Sequence, residues 1–419
     1  MAKIWRRVRI DDPDSVTRRA GDEVDPRSVG LSEAEVDAIW SAVVRLYKTA
    51  IHPGIALCVR RRGQVVLHRT IGHARGNGPD DYDGPKVLAT PDTLWNFFSG
   101  SKAITAVLVH MLHERELIHI DEPVATFIPE FAKNGKHRIT ISDVLTHRSG
   151  IPNIPSDLVD LSILHDRERV AALTCDLKPR SKPGREVAYH AVTGGFVLGE
   201  ILHRVTGSDI REFMRSEVSG KLGFDHWNYG VHEARLHEVA LEAFTGPIPT
   251  WPHKNLLENA LGFDMPTLVD FANDARFRTG IMPAGNCMGT ANEVCQFFEM
   301  LRNGGQLNGV RICSEETVRR ATEAQTRGEV DRMLMLPIPY SAGFMLGSDL
   351  VGFYGPKTGK AYGHLGFTNV LGWADPERDL SVALMNNGKP LIALEMLAWL
   401  DVMRTISMRV PRDGAGMRG

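Results

Sequence analysis

The sequence predicts an α/β protein in two pieces: a discontinuous α/β domain with an antiparallel sheet fed by both ends of the chain, and a mostly helical domain inserted between them. Three observations predict it. "GIALCVRRRGQVVLHRTIGHA" (54–74) reads as two strands joined by a tight turn at Arg62-Gly63-Gln64. "YSAGFMLGS", "TNVLGWAD" and "LSVALMNN", between 340 and 387, read as strands again. Helical signals dominate from 100 to about 225.

Residues 1–30 are polar, proline-containing and aperiodic, and read as an N-terminal arm. In "GLSEAEVDAIWSAVVRLYKTA", Ser32 and Glu35 form a capping box ahead of apolar residues at helical spacing. The strand pair follows, then the polar loop "RGNGPDDYDGPK". "KAITAVLVHMLHERE" is an amphipathic helix. "TISDVLTHRSGI" reads as a helix capped by Ser142 and stopped before Gly150, and "TGGFVLGEILHRVTG" and "SDIREFMRSEVSGKLG" each end at glycine. Residues 225–285, rich in Pro, His and Trp, read as loops with some helix, the kind of long irregular stretch that forms a pocket wall. "GTANEVCQFFEMLRNGG" is a helix capped by Thr290 and Glu293. "TNVLGWADPERDLSVALMNN" reads as a hairpin turning at Asp-Pro-Glu-Arg, and "PLIALEMLAWLDVMRTI" as a final helix. The expected division is 31–100 with 286–419 for the α/β domain and 101–285 for the helical one.

Composition narrows the function. The 419 residues carry 49 basic and 51 acidic side chains, for a formal net charge of -2, so electrostatics gives no case for nucleic acid or a membrane surface. Cys58, Cys175, Cys287, Cys295 and Cys313 include no CxxC pair, which fits a reducing compartment. "MAKIWRRVRIDDPDS" has no apolar signal-peptide core, and no run is long enough to span a bilayer. The expectation is a soluble, cytoplasmic protein whose partner is a small molecule. The oligomeric state is not legible.

"NFFSGSK" (96–102) carries the chemistry. Residues three apart share a helix face, so a helix beginning at Ser99 sets Lys102 beside its hydroxyl. The positive end of the helix favours a developing anion, and a lysine held there in apolar surroundings loses proton affinity and becomes a base. Phe97 and Phe98 supply apolar walls. By itself S-x-x-K is equally the pattern of a capping serine followed by a surface lysine.

The blocks "LWNFFSGSKAITAVLVHMLHERELIHIDEPVATFIPEF", "ITISDVLTHRSGI", "KPGREVAYHAVTGGFVLGEILHRVTG", "GTANEVCQFFEMLRNGG" and "GHLGFTNVLGWADPERDLSVALMNN" resemble, in order from about 30 to 405, the serine β-lactamase and penicillin-binding-protein superfamily. The similarity is closest to its class C-like branch with the family VIII carboxylesterases. The resemblance implies a β-lactamase-like fold, an acyl-serine intermediate on Ser99, Lys102 as base, and Tyr189, in the place of the family's Y-x-N, as proton relay. Ala191 stands where that Asn is usual. For the third element, Lys357-Thr358-Gly359 matches the letters K-T-G, but His364-Leu365-Gly366 directly precedes the hairpin and is preferred, since the motif must lie on the strand edging the pocket. The backbone N–H groups of Ser99 and Phe367 are then the expected oxyanion hole, with Phe98, His190, His364, Leu365 and Gly366 binding substrate. The missing Asn and the replaced Lys favour small esters over anionic β-lactams. Acyl transfer, amide hydrolysis and β-lactam hydrolysis remain alternatives with the same residues.

Other chemistries lack their residues. His110, His113, Glu114 and His119 cluster without an H-E-x-x-H pattern, so no metal is expected. There is no G-x-S-x-G, phosphate-binding loop or dinucleotide fingerprint, and no cofactor is expected.

Overall fold

The computed structural model describes residues 5–155, 158–248, 262–326, 328–350, 352–391 and 396–412. The main sheet is antiparallel, and its strands come from both ends of the chain: β1 (Thr17–Arg19), β2 (Gly54–Arg61), β3 (Gln64–Arg75), β4 (Met345–Leu346), β5 (Tyr362–Leu365), β6 (Leu371–Asp375) and β7 (Leu380–Asn386). Their order is β4-β5-β6-β7-β2-β3-β1, with Val87–Leu88 pairing on β3 as an eighth strand. The halves join where β7 pairs β2, Leu380 opposite Arg61 and Asn386 opposite Ile55.

Both faces of the central strands β2 and β7 are covered, so these strands are apolar at most positions. Leu57, Val59, Val382 and Leu384 face α1 (Glu33–Tyr47) and α6 (Met396–Arg409). Ala56, Cys58, Ala383 and Met385 face the other way, toward α5 (Ala291–Arg302) and the helical region. That region is built on α2 (Ser101–Glu114), buried almost all round, against α4 (Thr193–Thr206), with the short α3 (Ile141–Leu145) beside it.

The hairpin turns are where the sequence puts them. Arg62 and Gly63, both at positive φ, join β2 to β3, and Pro376–Arg378 joins β6 to β7. The capping boxes at Ser32/Glu35 and Thr290/Glu293 are both formed.

Three local readings change. Residues 5–30 are not a detached arm: β1 extends the sheet, and Trp5–Arg6 pairs with Gly246–Pro247. Polar contacts hold this segment, because buried Glu23 accepts from His68 N at 2.8 Å and from Arg69 Nε at 2.9 Å. The cap of α3 is Thr140, not Ser142; its hydroxyl accepts from Asp143 N at 3.0 Å, while the Asp143 carboxylate accepts from Thr140 N. Of "YSAGFMLGS" only Met345–Leu346 is strand. The start of the final helix, residues 392–395, lies outside the described residues. Among the described residues, no helix is long and apolar enough to cross a membrane.

Candidate active site

Each letter of "FFSGSK" has a physical reason. Trp95–Asn96 pairs with Cys287–Gly289, and Phe97 N donates to Cys287 O at 2.9 Å. The Phe97 ring is fully buried beside Trp227 and Phe298. A Cβ on Gly100 would lie 2.3 Å from that ring, so this position takes only glycine. Phe98 adopts a left-handed φ of +48°, uncommon for a bulky residue, and Asn96 Oδ1 accepts its N–H at 3.0 Å. Phe98–Gly100 forms a 3₁₀ turn leading into α2, in which residues three apart eclipse. Ser99 is thereby presented at the base of a cavity, while Ser101 points inward and accepts from Cys287 N at 2.9 Å.

Lys102 Nζ, partly buried, donates to Ser99 Oγ at 3.1 Å and to Ala284 O at 3.0 Å, and lies 4.8 Å from the centre of the Tyr189 ring. Burial lowers its pKa to about 7, so near neutrality much of it is uncharged amine. Tyr189 lines the same cavity as Ser99, close enough for the serine to act on the phenol's pKa. Its pKa is raised, mainly by burial, with Ser99 opposing and the Asp331 carboxylate adding to the rise, so the phenol keeps its proton.

The support behind Tyr189 comes from distant segments. Buried Asp331 accepts through Oδ1 from Tyr189 N at 3.2 Å and Met333 N at 2.8 Å, and through Oδ2 from the Tyr340 hydroxyl at 2.9 Å. The His147 ring packs on Tyr189 at 4.7 Å and on Tyr340 at 5.0 Å, and its Nδ1 accepts from His190 N at 3.2 Å. His147, His190 and His364 are all buried and held neutral by it; His190 and His364 titrate at about 3. Ala284 is placed by Asn286, which accepts from Met282 N at 2.9 Å and donates to Phe277 O at 2.7 Å. Asp331, Tyr340, His147, Ala284 and Asn286 carry no local sequence signal for this role.

The cavity above Ser99 has a volume of about 200 Å³. Of the residues singled out in the sequence, Phe98, Ser99, Tyr189 and Phe367 line it, as does Ala191. His190, His364, Leu365 and Gly366 do not. His190 turns away to Ser149 Oγ at 2.9 Å, and His364 Nδ1 donates to Leu365 O at 2.8 Å. Leu365 packs in the cluster of Val187, Tyr189 and Tyr340. Gly366 acts through its missing side chain: a Cβ there would sit 2.5 Å from Phe97 O, and its absence lets Phe367 stack 5.6 Å from Phe98. Lys357-Thr358-Gly359 lies in a loop, with Thr358 Oγ1 donating to Gly355 O at 2.7 Å. His364-Leu365-Gly366 runs along β5 and just past its end.

The described residues thus form a fold of the serine β-lactamase and penicillin-binding-protein type, with a serine, an amine and a tyrosine brought together under an apolar cavity. A family model described as "Beta-lactamase" matches residues 42–402, and the chain belongs to that family as a hydrolase of it. It is 26% identical to the esterase/beta-lactamase LipL of Mycobacterium tuberculosis over 94% of this chain and 91% of that protein. The crystal structure of a penicillin-binding-protein homologue from Caulobacter crescentus matches with a TM-score of 0.75 at 26% identity, over 91% of this chain and 99% of that one. A family VIII carboxylesterase structure matches with a TM-score of 0.76 at 25% identity, over 89% and 98%.

Proposed function

We propose that the protein hydrolyses carboxylic esters through an acyl-serine intermediate. The observation that carries this reading is Lys102 Nζ, 3.1 Å from Ser99 Oγ and in good part uncharged near neutrality. The amine takes the serine proton as the oxygen attacks the ester carbonyl. The backbone N–H groups of Ser99 and Phe367 receive the oxyanion, each worth about 3 kcal/mol of transition-state stabilisation. Collapse expels the alkoxide, which collects the proton through Tyr189. Water then attacks the acyl-enzyme, giving up its proton along the same route to restore Ser99 and release the acid.

An ester substrate is supported by the cavity wall. Among the described residues it holds no lysine or arginine, and its one charged group is the carboxylate of Asp160. An anionic β-lactam or peptide carboxylate meets no counter-charge there. Ala191 adds a methyl where an amide would grip an acylamino chain. The names of the similar M. tuberculosis esterase/beta-lactamase and of the family VIII carboxylesterase agree with this reading.

The test compares wild type with Ser99→Ala on p-nitrophenyl esters and on a chromogenic cephalosporin. Ser99-dependent ester turnover with slow cephalosporin cleavage is expected. Fast cephalosporin turnover with poor ester turnover overturns the substrate assignment; equal ester activity in Ser99→Ala overturns the mechanism.

A further inference from the structure

The cavity above Ser99 backs onto a second cavity of about 460 Å³, and Leu164 and Phe196 line both. Between them runs the segment 281–285, whose residues alternate: Met282 and Ala284 face the Ser99 cavity, Ile281 and Pro283 the second one. The wall is thin for a covalent reason. Gly195 and Gly199 on α4 let the helix lie against this segment, where a Cβ on Gly195 would be 2.6 Å from Ala284 N and one on Gly199 would be 3.1 Å from Pro283. Ile281 N donates to Leu164 O at 3.0 Å, which ties the third side of the wall in place. The two sides differ in chemistry. The Ser99 side is almost wholly apolar, whereas the second cavity is lined by Glu200, His203 and Arg211.

We infer that Phe196 and Leu164 set the acyl-chain length this site accepts: the chain of the ester runs from Ser99 along the apolar wall and ends against these two side chains, with the second cavity closed off behind them. The inference rests on the esterase reading above and adds the specificity determinant. Each methylene that finds apolar surface gains about fourfold in kcat/KM, and each one beyond the wall finds none. Shortening either side chain joins the two spaces and lets a longer chain through.

The experiment measures kcat/KM for p-nitrophenyl butanoate and decanoate in wild type, Phe196→Ala, Leu164→Ala and Phe196→Leu. The decanoate/butanoate ratio within one protein is the readout, because loss of folded enzyme cancels from it. The ratio is expected to rise at least tenfold in Phe196→Ala, and less in Leu164→Ala and Phe196→Leu, which remove less volume. An unchanged ratio in every variant that retains Ser99-dependent butanoate turnover overturns the inference and leaves the esterase reading standing. Absence of Ser99-dependent ester turnover in wild type overturns that reading, and the inference falls with it.

Discussion

Lys102 Nζ lies 3.0 Å from the carbonyl oxygen of Ala284, a residue 182 positions further along the chain. A carbonyl orients the amine without the full counter-charge of a carboxylate, which would lift its pKa back toward that of a free lysine. The base is thereby held in place with about half of it unprotonated near pH 7. The kcat/KM for a p-nitrophenyl ester is expected to rise with pH, to be half-maximal near 7, and to stay level to at least pH 9, because the Tyr189 phenol deprotonates only above its ordinary range. Lys102→Arg, whose guanidinium stays charged, is expected to lose on the order of a thousandfold. A rate independent of pH between 5 and 9 excludes Lys102 as the base.

How far the sequence reveals this site follows from distance along the chain. The Ser99–Lys102 contact is one turn long, and a local pattern suffices to find it. The hairpins were legible because Arg62-Gly63 and Pro376–Arg378 have turn chemistry of their own. Asp331 reaches Tyr189 across 142 residues and sits in no periodic element, so nothing in "RGEVDRMLML" announces it. His190 illustrates a different failure. Tyr189 and Ala191 face the cavity, while the side chain between them turns away to Ser149. The N-terminal segment was misread because Glu23 anchors it by hydrogen bonds and an ion pair, which leave no hydrophobic period to detect.

A base kept uncharged in the interior costs stability. The Lys102 pKa is about 7 in the fold against about 10.4 for an unperturbed lysine. Between those values the unfolded chain holds a proton that the native state has given up, so stability rises with pH through this window, and below pH 7 the penalty is present in full. Lys102→Met keeps most of the side-chain volume and removes the charge. It is expected to raise Tm by a few degrees, more at pH 6.5 than at pH 10, while abolishing turnover. A lower Tm at pH 6.5 contradicts this account.

Asp331 tests how Tyr189 is positioned, since it holds the residue through a hydrogen bond from the Tyr189 backbone N–H. Asp331→Asn keeps one acceptor oxygen but replaces the other with an amide that cannot accept from the Tyr340 hydroxyl. A buried hydroxyl left without its acceptor costs about 1–3 kcal/mol. The expected result is a fall in kcat of about tenfold or more with KM nearly unchanged. Tyr340→Phe, which removes the stranded hydroxyl, is expected to recover part of the stability when combined with Asp331→Asn. Full activity in Asp331→Asn rules out the network as the anchor of the phenol.

The burial of the histidines around the site predicts how the protein fails in acid. His147, His190 and His364 around the amine, with His52 and His110 elsewhere in the core, are all lowered by burial, His110 to about 4 and His52, His190 and His364 to about 3. In the unfolded chain each takes up a proton near pH 6.5. Their neutral forms therefore contribute stability that is complete above 6.5 and is lost as pH falls from there toward 3. Tm is expected to start dropping steeply just below pH 6.5, before ordinary carboxylates titrate. His110 makes the attribution testable, because it lies outside the site and, among the described residues, bonds Ala342 O at 2.9 Å through Nε2. His110→Gln keeps a donor for that carbonyl and does not titrate. The slope of unfolding free energy against pH between 6 and 4.5 is expected to be shallower by about 1.4 kcal/mol per pH unit, one proton's worth. An unaltered slope in this variant places the acid sensitivity in carboxylates instead.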